Sequence, residues 1–459
     1  MQCNLLLDTD SYKASHWLQY PSDLTAMGAY LESRGGEHPA TLFFGLQMLL
    51  QETLLQPVTQ AQLEEAAEVW KAHGLPFHRD GWQRLVSMHG GRWPLRIRAV
   101  PEGSRVPSRQ VLMTVESTDP QLAWLVTWVE TQLLRIWYPT TVATRSWALR
   151  EQIALALVRS CDDPTSELLF RVHDFGSRGV SSMQSAAFGG LAHLIAFRGT
   201  DTAVALHAAR RYYDCPMAGY SIPAAEHSTI LAWGKEHEAQ AYRTLLDRFA
   251  RPGAVLAVVS DSYDLWNAVD HLWGEQLRQQ VIDSGATVVI RPDSGDPIRL
   301  VPELLRRLEA RFGSRLNSKG YRVLAHVRVI QGDGMTTATL PQVLQAVLAA
   351  GFSAENVAYG MGGGLLQQLN RDTLGFAYKL SWVERNGRIE PVHKSPVTDP
   401  RKTSKAGVLD LIRTDEGYRT VVLPQPGRHP DSVLETVFEN GELMRRCSLD
   451  QVRQQAERG

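Results

Sequence analysis

Short apolar runs ending in an acid or a glycine cluster recur along the second half of the chain. The run at 168–172 ends at His173 and Asp174, LIAFRGTD at Asp201, AVLAVVSD at Asp261, ATVVIRPD at Asp293 and HVRVIQGD at Asp333. NVAYGMGGG ends in Gly362, Gly363 and Gly364, and FAYKLS (376–381) is expected to close the series. Stretches of roughly ten to twenty residues with helical texture separate most of these runs, the spacing of repeated βα units. Strands alternating with helices predict a parallel sheet covered on its outer face. About seven such units favour an irregular, closed (β/α) barrel over an open doubly wound sheet. Both architectures bind ligands at the carboxyl ends of their strands, where these acids and glycines fall.

The first third has a different texture. Tyr12, His16 and Tyr20 recur at helical spacing, which predicts an amphipathic first helix with Asp10 or Ser11 near its N-cap. Residues 41–56 and 60–73 read as helices, and 95–103 and 109–117 as a strand pair joined across a Pro/Gly turn. Leu122, Leu125, Val126, Val129 and Leu133 predict a buried helix over 120–137 that stops before Pro139, followed by another from 141 to 160. The tryptophans of this region read as core. After 385 the chain becomes rich in Pro, Lys and Arg, and a short strand-like tail follows. The expected fold class is α/β. A barrel domain spans 141–385, and a discontinuous α+β domain combines 1–140 with 386–459.

Composition narrows the function classes. The 459 residues are 44% hydrophobic and 21% charged with a formal net charge of -1, which excludes a nucleic-acid binder driven by bulk positive charge. Cys3, Cys161, Cys215 and Cys447 are scattered with no CxxC pair, pointing to a reduced cytoplasmic protein without a zinc or disulfide framework. No long uncharged apolar stretch suggests a signal peptide or a membrane span.

The strand-end residues carry the candidate chemistry. In HDFGSRGVSS (173–182), Arg178 lies between Gly176 and Gly179, and Arg291 ends another run. Arginine grips phosphate bidentately, and glycine lets the backbone approach it. The glycine run at 362–364 opens a helix, where free N–H groups suit a phosphate, although a tight turn also explains such a run. Asp174, Asp201, Asp261, Asp293 and Asp333 either cap the following helices or converge to hold sugar hydroxyls, an amide N–H or hydrated Mg²⁺. His227 follows Pro223 and Glu226 in GYSIPAAEHSTI, which admits a phosphate-contacting or nucleophilic role. Phe175, between an acid and a glycine, suits stacking on a flat ligand. There is no HxH, HExxH or Cys/His ligand spacing for a transition metal.

LLLDTDSYK, HDFGSRGVSS, FRGTDT, GYSIPAAEHSTI, VVSDSYD, IRPDSGDP, VIQGDG, GGGLLQQLNRD and DPRKTSKAG occur in that order. In this set the chain resembles, almost end to end, the nicotinamide phosphoribosyltransferases of the type II phosphoribosyltransferase family. The resemblance implies transfer of phosphoribosyl from phosphoribosyl pyrophosphate to nicotinamide, giving nicotinamide mononucleotide and pyrophosphate in NAD salvage. It implies Mg²⁺ bound with the pyrophosphate, through water near Asp261 and Asp293 rather than by direct protein ligands. It also implies ATP hydrolysis coupled through a phosphohistidine at His227, and a homodimer with interface active sites. By motif, Phe175 and Tyr12 of the other subunit sandwich the pyridine ring, and Asp201 accepts from the carboxamide. Arg178, His227 and Arg291 contact phosphate, and Asp293, Gly332 and Asp333 hold ribose. Gly363 and Arg371 take the 5′-phosphate, Gly362 belongs to the same substrate site, and Lys394 and Lys402 reach in from the tail. His227, Asp261 and Asp293 are the expected catalytic group.

Three features depart from the family pattern: Ser177 in place of a bulkier or apolar residue, Met361 in place of serine, and a short tail. A nicotinate-preferring relative is the nearest alternative, against which the Asp201 carboxylate argues by repelling a substrate carboxylate. A non-catalytic binding protein on the same scaffold is the other. A barrel aldolase or metal-dependent hydrolase lacks its Schiff-base lysine or its ligand pattern.

Overall fold

A computed structural model of the chain describes residues 4–398 and 403–458. The chain folds into two compact units. One comprises the chain up to Thr144, Arg211–Cys215 and everything from Leu369 onward; the other comprises Arg145–Arg210 and Pro216–Gln368.

The first unit is built on a seven-stranded antiparallel sheet. Its order is Arg388–Pro391, Phe376–Arg385, Leu24–Ser33, Val111–Ser117, Leu95–Ala99, Glu435–Glu439, Glu442–Leu443. Register places Ala29 opposite Val115, Val115 opposite Ile97, and Ile97 opposite Phe438, a row buried along its length. Gly28 is required in this sheet, because a Cβ there would lie 1.9 Å from the Trp382 indole nitrogen. Helix Gln60–Ala72 starts at a capping box formed by Thr59 and Gln62. Trp82, on helix Arg79–His89, meets Trp93, Trp124 and Trp128 edge-on at centroid distances of 5.8, 4.8 and 5.0 Å. The tryptophans are core, as their apolar neighbours suggested.

Several expected boundaries move. Phe376–Arg385 does not close the parallel series; it pairs antiparallel with Leu24–Ser33. Its apolar run fits either partner equally well, and only long-range pairing selects one. The helix expected over 120–137 is divided into Pro120–Leu122, Leu125–Trp128 and Glu130–Leu134. The next helix is Trp137–Ser160, and it takes Pro139 into its first turn, where the missing N–H costs nothing. Within 41–56 only Leu46–Glu52 is helical, because Gly45 at φ 102° turns the chain out of the short strand Ala40–Leu42.

The second unit is α/β. Six parallel strands form a curled sheet in the order Gly199–Thr200, Val172–Asp174, Val357–Met361, Val327–Gln331, Thr287–Arg291, Val255–Val259. Its edges are joined by an irregular segment. Tyr220 exchanges backbone bonds with Thr200 and Arg198 (3.0 and 2.7 Å), and Ala257 bonds Pro223 and Ala225 (both 2.9 Å). Ala257, Val289 and Ile330 form a small apolar cluster, against which Phe175, Ile222 and Ala358 pack. The helices follow ordinary local rules. Pro297–Phe312, for example, is capped by Asp296, starts on proline and buries Val301, Leu304, Leu305, Leu308 and Phe312. LIAFRGTD is mostly not strand. Its apolar part ends the buried helix Met183–Ala196, which Ser182 caps, leaving two strand residues. Among the described residues no helix is long and apolar enough to cross a membrane.

Trp82→Ala should cost about 3–5 kcal/mol, the usual range for removing a buried indole, and flatten the near-ultraviolet circular dichroism signal of the tryptophan cluster. Chemical denaturation followed by both signals checks this.

Candidate active site

The carboxyl ends of the parallel strands gather most of the expected residues. Asp174, 0% exposed, accepts the Gly176 N–H at 2.7 Å and the Thr200 hydroxyl at 3.4 Å. Burial pushes its carboxyl up to about 6. It builds the turn rather than facing a ligand, which removes it from the set of candidate binding acids. That turn places Phe175, whose N–H donates to the Met361 carbonyl at 2.9 Å. The Phe175 ring rests against Gly360, where a Cβ would lie 2.1 Å from the ring. A Cβ on Gly332 would lie 3.7 Å from the same ring and 3.5 Å from Asp293 Oδ1, so ring, glycine and acid are immediate neighbours.

Arg178 lies on the short 3-10 turn Ser177–Gly179 with its side chain 87% exposed, 3.8 Å from the Glu226 carboxylate. A Cβ on Gly179 would approach Gly363 N at 3.3 Å, so this loop borders the glycine run. Gly362 precedes the short helix Gly363–Leu366. Of the three glycines only Gly364 is sterically required, with Met335 O at 2.8 Å from its hypothetical Cβ; the space beside Gly363 is open. Asp201 is exposed and accepts a hydrogen bond from the Ser221 hydroxyl.

The tightest cluster surrounds Asp261, whose side chain is 5% exposed. Its Oδ1 lies 3.1 Å from His227 Nε2, and its Oδ2 accepts the Asp293 N–H at 2.9 Å and the Ser294 hydroxyl at 2.6 Å. His227 opens helix His227–Leu231 and also has Nδ1 3.7 Å from Asp293 Oδ2. Asp293 in turn takes Arg291 Nη2 at 3.2 Å. Arg291 Nε is buried and finds no partner among the described residues, which leaves a donor for a ligand. Nearby, Gln331 Nε2 donates to Asp333 O at 2.8 Å, and the Asp333 side chain is exposed.

Helix capping does not account for three of these acids. Asp264 caps Leu265–Asn267 and Asp296 caps Pro297–Phe312, while the Thr336 hydroxyl accepts the first N–H of Thr339–Ala349 at 3.1 Å. Asp261, Asp293 and Asp333 are thereby released from that duty. Both Asp261 oxygens are nonetheless engaged by protein, so this residue organises its neighbours.

The other expected residues belong to the first unit. Tyr12 lies on the 3-10 helix Ser11–Leu18, which is fixed by Lys13 bonding Glu130 Oε2 at 2.7 Å and Thr127 O at 2.9 Å. With Lys13 turned inward, Tyr12 stays 60% exposed. Arg371 pairs with its neighbour Asp372 at 2.9 Å. The Lys394 backbone accepts the Ser404 N–H at 2.9 Å and donates its own N–H to the Ser404 hydroxyl at 2.8 Å. Lys402 lies outside the described residues. Among the described residues no group of three or more His, Cys, Asp or Glu could hold a metal ion.

Sequence reasoning missed Gly360, Ser221 and Ser294. Gly360 is masked by the glycine run after it, and the two serines acquire meaning only beside Asp201 and Asp261.

Comparison with known proteins fits this geometry. Residues 170–442 match the nicotinate phosphoribosyltransferase (NAPRTase) family, and residues 4–97 match the nicotinamide phosphoribosyltransferase N-terminal domain. The nicotinamide phosphoribosyltransferase of Xanthomonas campestris pv. campestris is 53% identical over 99% of this chain and 98% of its own. That of Acinetobacter baylyi is 31% identical over 98% and 96%. Among solved structures, a nicotinate-nucleotide pyrophosphorylase from Pyrococcus furiosus has the same fold, with TM-score 0.61, 15% identity and coverage of 99% and 95%. Human nicotinic acid phosphoribosyltransferase does too, with TM-score 0.54, 18% identity and coverage of 98% and 92%. Alignment over nearly the whole of both chains, together with the two domain matches, means that this chain belongs to the nicotinamide phosphoribosyltransferase family.

Proposed function

We propose that this protein transfers the phosphoribosyl group of phosphoribosyl pyrophosphate to nicotinamide, forming nicotinamide mononucleotide and pyrophosphate in NAD salvage. The observation that carries the reading is the 53% identity to the Xanthomonas enzyme over 99% of the chain. The strand-end chemistry supports it: an aromatic ring, a carboxylate and an orphaned guanidinium donor lie around one sheet end.

The pyridine nitrogen attacks the anomeric carbon of ribose as the bond to pyrophosphate breaks. The nucleophile carries no proton to remove, so no strong protein base is needed. Phe175, and Tyr12 from a second subunit, orient the ring. Asp201, held by Ser221, accepts a carboxamide N–H and repels the carboxylate of nicotinate. Arg178 and Arg291 stabilise the charge that gathers on pyrophosphate. Asp293, Gly332 and Asp333 take the ribose, and Gly363 and Arg371 the 5′-phosphate, with Lys394 and Lys402 approaching from the tail. Mg²⁺ bound with the pyrophosphate would neutralise further charge there; with both Asp261 oxygens taken by protein donors, Asp261 and Asp293 would hold it through water rather than directly.

His227 is the residue that couples ATP. A bond from Nε2–H to Asp261 leaves the lone pair on Nδ1. Nδ1 attacks the γ-phosphorus, the bond to the β,γ-bridging oxygen breaks and ADP departs; water later takes the phosphoryl group as phosphate. The active assembly is a cytoplasmic homodimer. Its parallel sheet forms an irregular (β/α) barrel, and the sheet uniting strands before residue 140 with strands near the C-terminus supports a discontinuous second domain.

Asp201→Asn should lower the kcat/KM preference for nicotinamide over nicotinate by about tenfold to a hundredfold. An unchanged ratio in a two-substrate product assay removes Asp201 from the specificity role. Gly360→Ala should force the Phe175 ring aside and raise the KM for nicotinamide at least about tenfold, more than that for phosphoribosyl pyrophosphate. Steady-state kinetics with each substrate varied checks this. His227→Ala should abolish stimulation by ATP and incorporation of γ-³²P while retaining measurable ATP-independent transfer; labelled protein in the variant would exclude His227 as the phosphorylated residue.

A further inference from the structure

Trp273 lies on a nine-residue π-helix, Ala268–Gln276. Such turns are rare and often mark functional sites. This one is braced against helix Pro297–Phe312. Asp270 pairs with Arg307 and, at 3.5 Å, with Arg311, while Glu275 meets Arg311 at 3.1 Å. Gly274 permits the approach, since a Cβ there would lie 2.7 Å from Arg311 Cγ. Trp273 is fully buried, stacked on Tyr242 with ring centroids 4.6 Å apart and planes 14° from parallel.

The indole N–H has a specific destination. It donates to the Ser260 hydroxyl at 3.1 Å, and that hydroxyl donates to Val258 O at 3.0 Å. The Ser260 N–H donates to Arg291 O at 3.0 Å. Ser260 therefore ties two strand ends together immediately before Asp261, the residue that meets His227, Asp293 and Ser294. Satisfying a buried indole N–H is not a general demand of this fold. Those of Trp17, Trp93, Trp124 and Trp128 are buried and find no partner among the described residues.

We propose that Trp273 is a positioning residue: its N–H fixes Ser260 and, through it, the Asp261 carboxylate that aligns His227. The inference rests on the assignment of His227 to ATP coupling and adds the device that orients it. Trp273 is fully buried, so it acts through its neighbours. A group that sets the geometry of a reacting side chain through a hydrogen-bonded neighbour commonly changes activity by about tenfold or more when removed.

The test uses the full-length enzyme. Trp273→Phe keeps an aromatic ring on Tyr242 and deletes the donor; Ser260→Ala keeps the indole and deletes the acceptor; Ser260→Thr keeps the hydroxyl. Trp273→Phe and Ser260→Ala should each lower the ratio of ATP-stimulated to ATP-independent rate about tenfold, the double variant no further, and Ser260→Thr should resemble the parent. In the first two variants the His227 imidazole N–H resonance, followed by NMR with ¹⁵N-labelled histidine, should shift. Equal loss of both rates with an unmoved His227 resonance would reduce Trp273 to a packing residue, and unchanged rates with an unmoved resonance would overturn the proposal outright. A parent enzyme without ATP stimulation would remove the coupling role of His227 instead, and the resonance alone would then decide whether Trp273 positions it.

Discussion

One buried carboxylate sets the order of the strand ends. Asp261 gives up hydration on entering the protein, and it recovers that loss only if several donors converge on it. Three do: the His227 imidazole, the Asp293 N–H and the Ser294 hydroxyl. They come from a short helix and from the loop after a neighbouring strand. Satisfying one acid thus fixes two separate pieces of backbone, and Asp293 then restrains Arg291. The guanidinium keeps one buried donor without a partner among the described residues, an unmet hydrogen-bonding demand beside the acid cluster.

Much of this was legible in the chain. Most of the expected runs became strands of the parallel sheet, because near-continuous Val, Ile and Ala sequences suit a strand buried on both faces. The acids at their ends were visible because a charged residue after such a run has no reason to be there for packing. Pattern alone could not rank those acids. Asp174 and Asp261 both end apolar runs, yet one closes its own turn and the other gathers distant donors. LIAFRGTD misled because a helix apolar on all sides and a buried strand share the same composition. FAYKLS misled for a related reason, since strand character does not name a partner.

Gly360 illustrates a signal of a different kind. It is neither in the left-handed region nor in a turn; it is needed because an aromatic ring occupies the place of its side chain. A missing side chain leaves no trace in periodicity or charge, and its meaning lies in Phe175, far away in sequence. Ser177 sits in the exposed part of the same loop, beyond the buried Asp174 turn. Nothing in its surroundings explains its departure from the family pattern.

The irregular segment at 220–225 has a consequence beyond closing the sheet. Among the described residues two backbone bonds tie it to each edge, whereas Val255–Val259 and Thr287–Arg291 pair along five residues. The curled sheet therefore has a seam. That seam carries Ser221, the partner of Asp201, and runs directly into the turn that presents His227. The partner of Asp201 and the turn before His227 thus share one stretch of irregular backbone, so a change in its path moves both together.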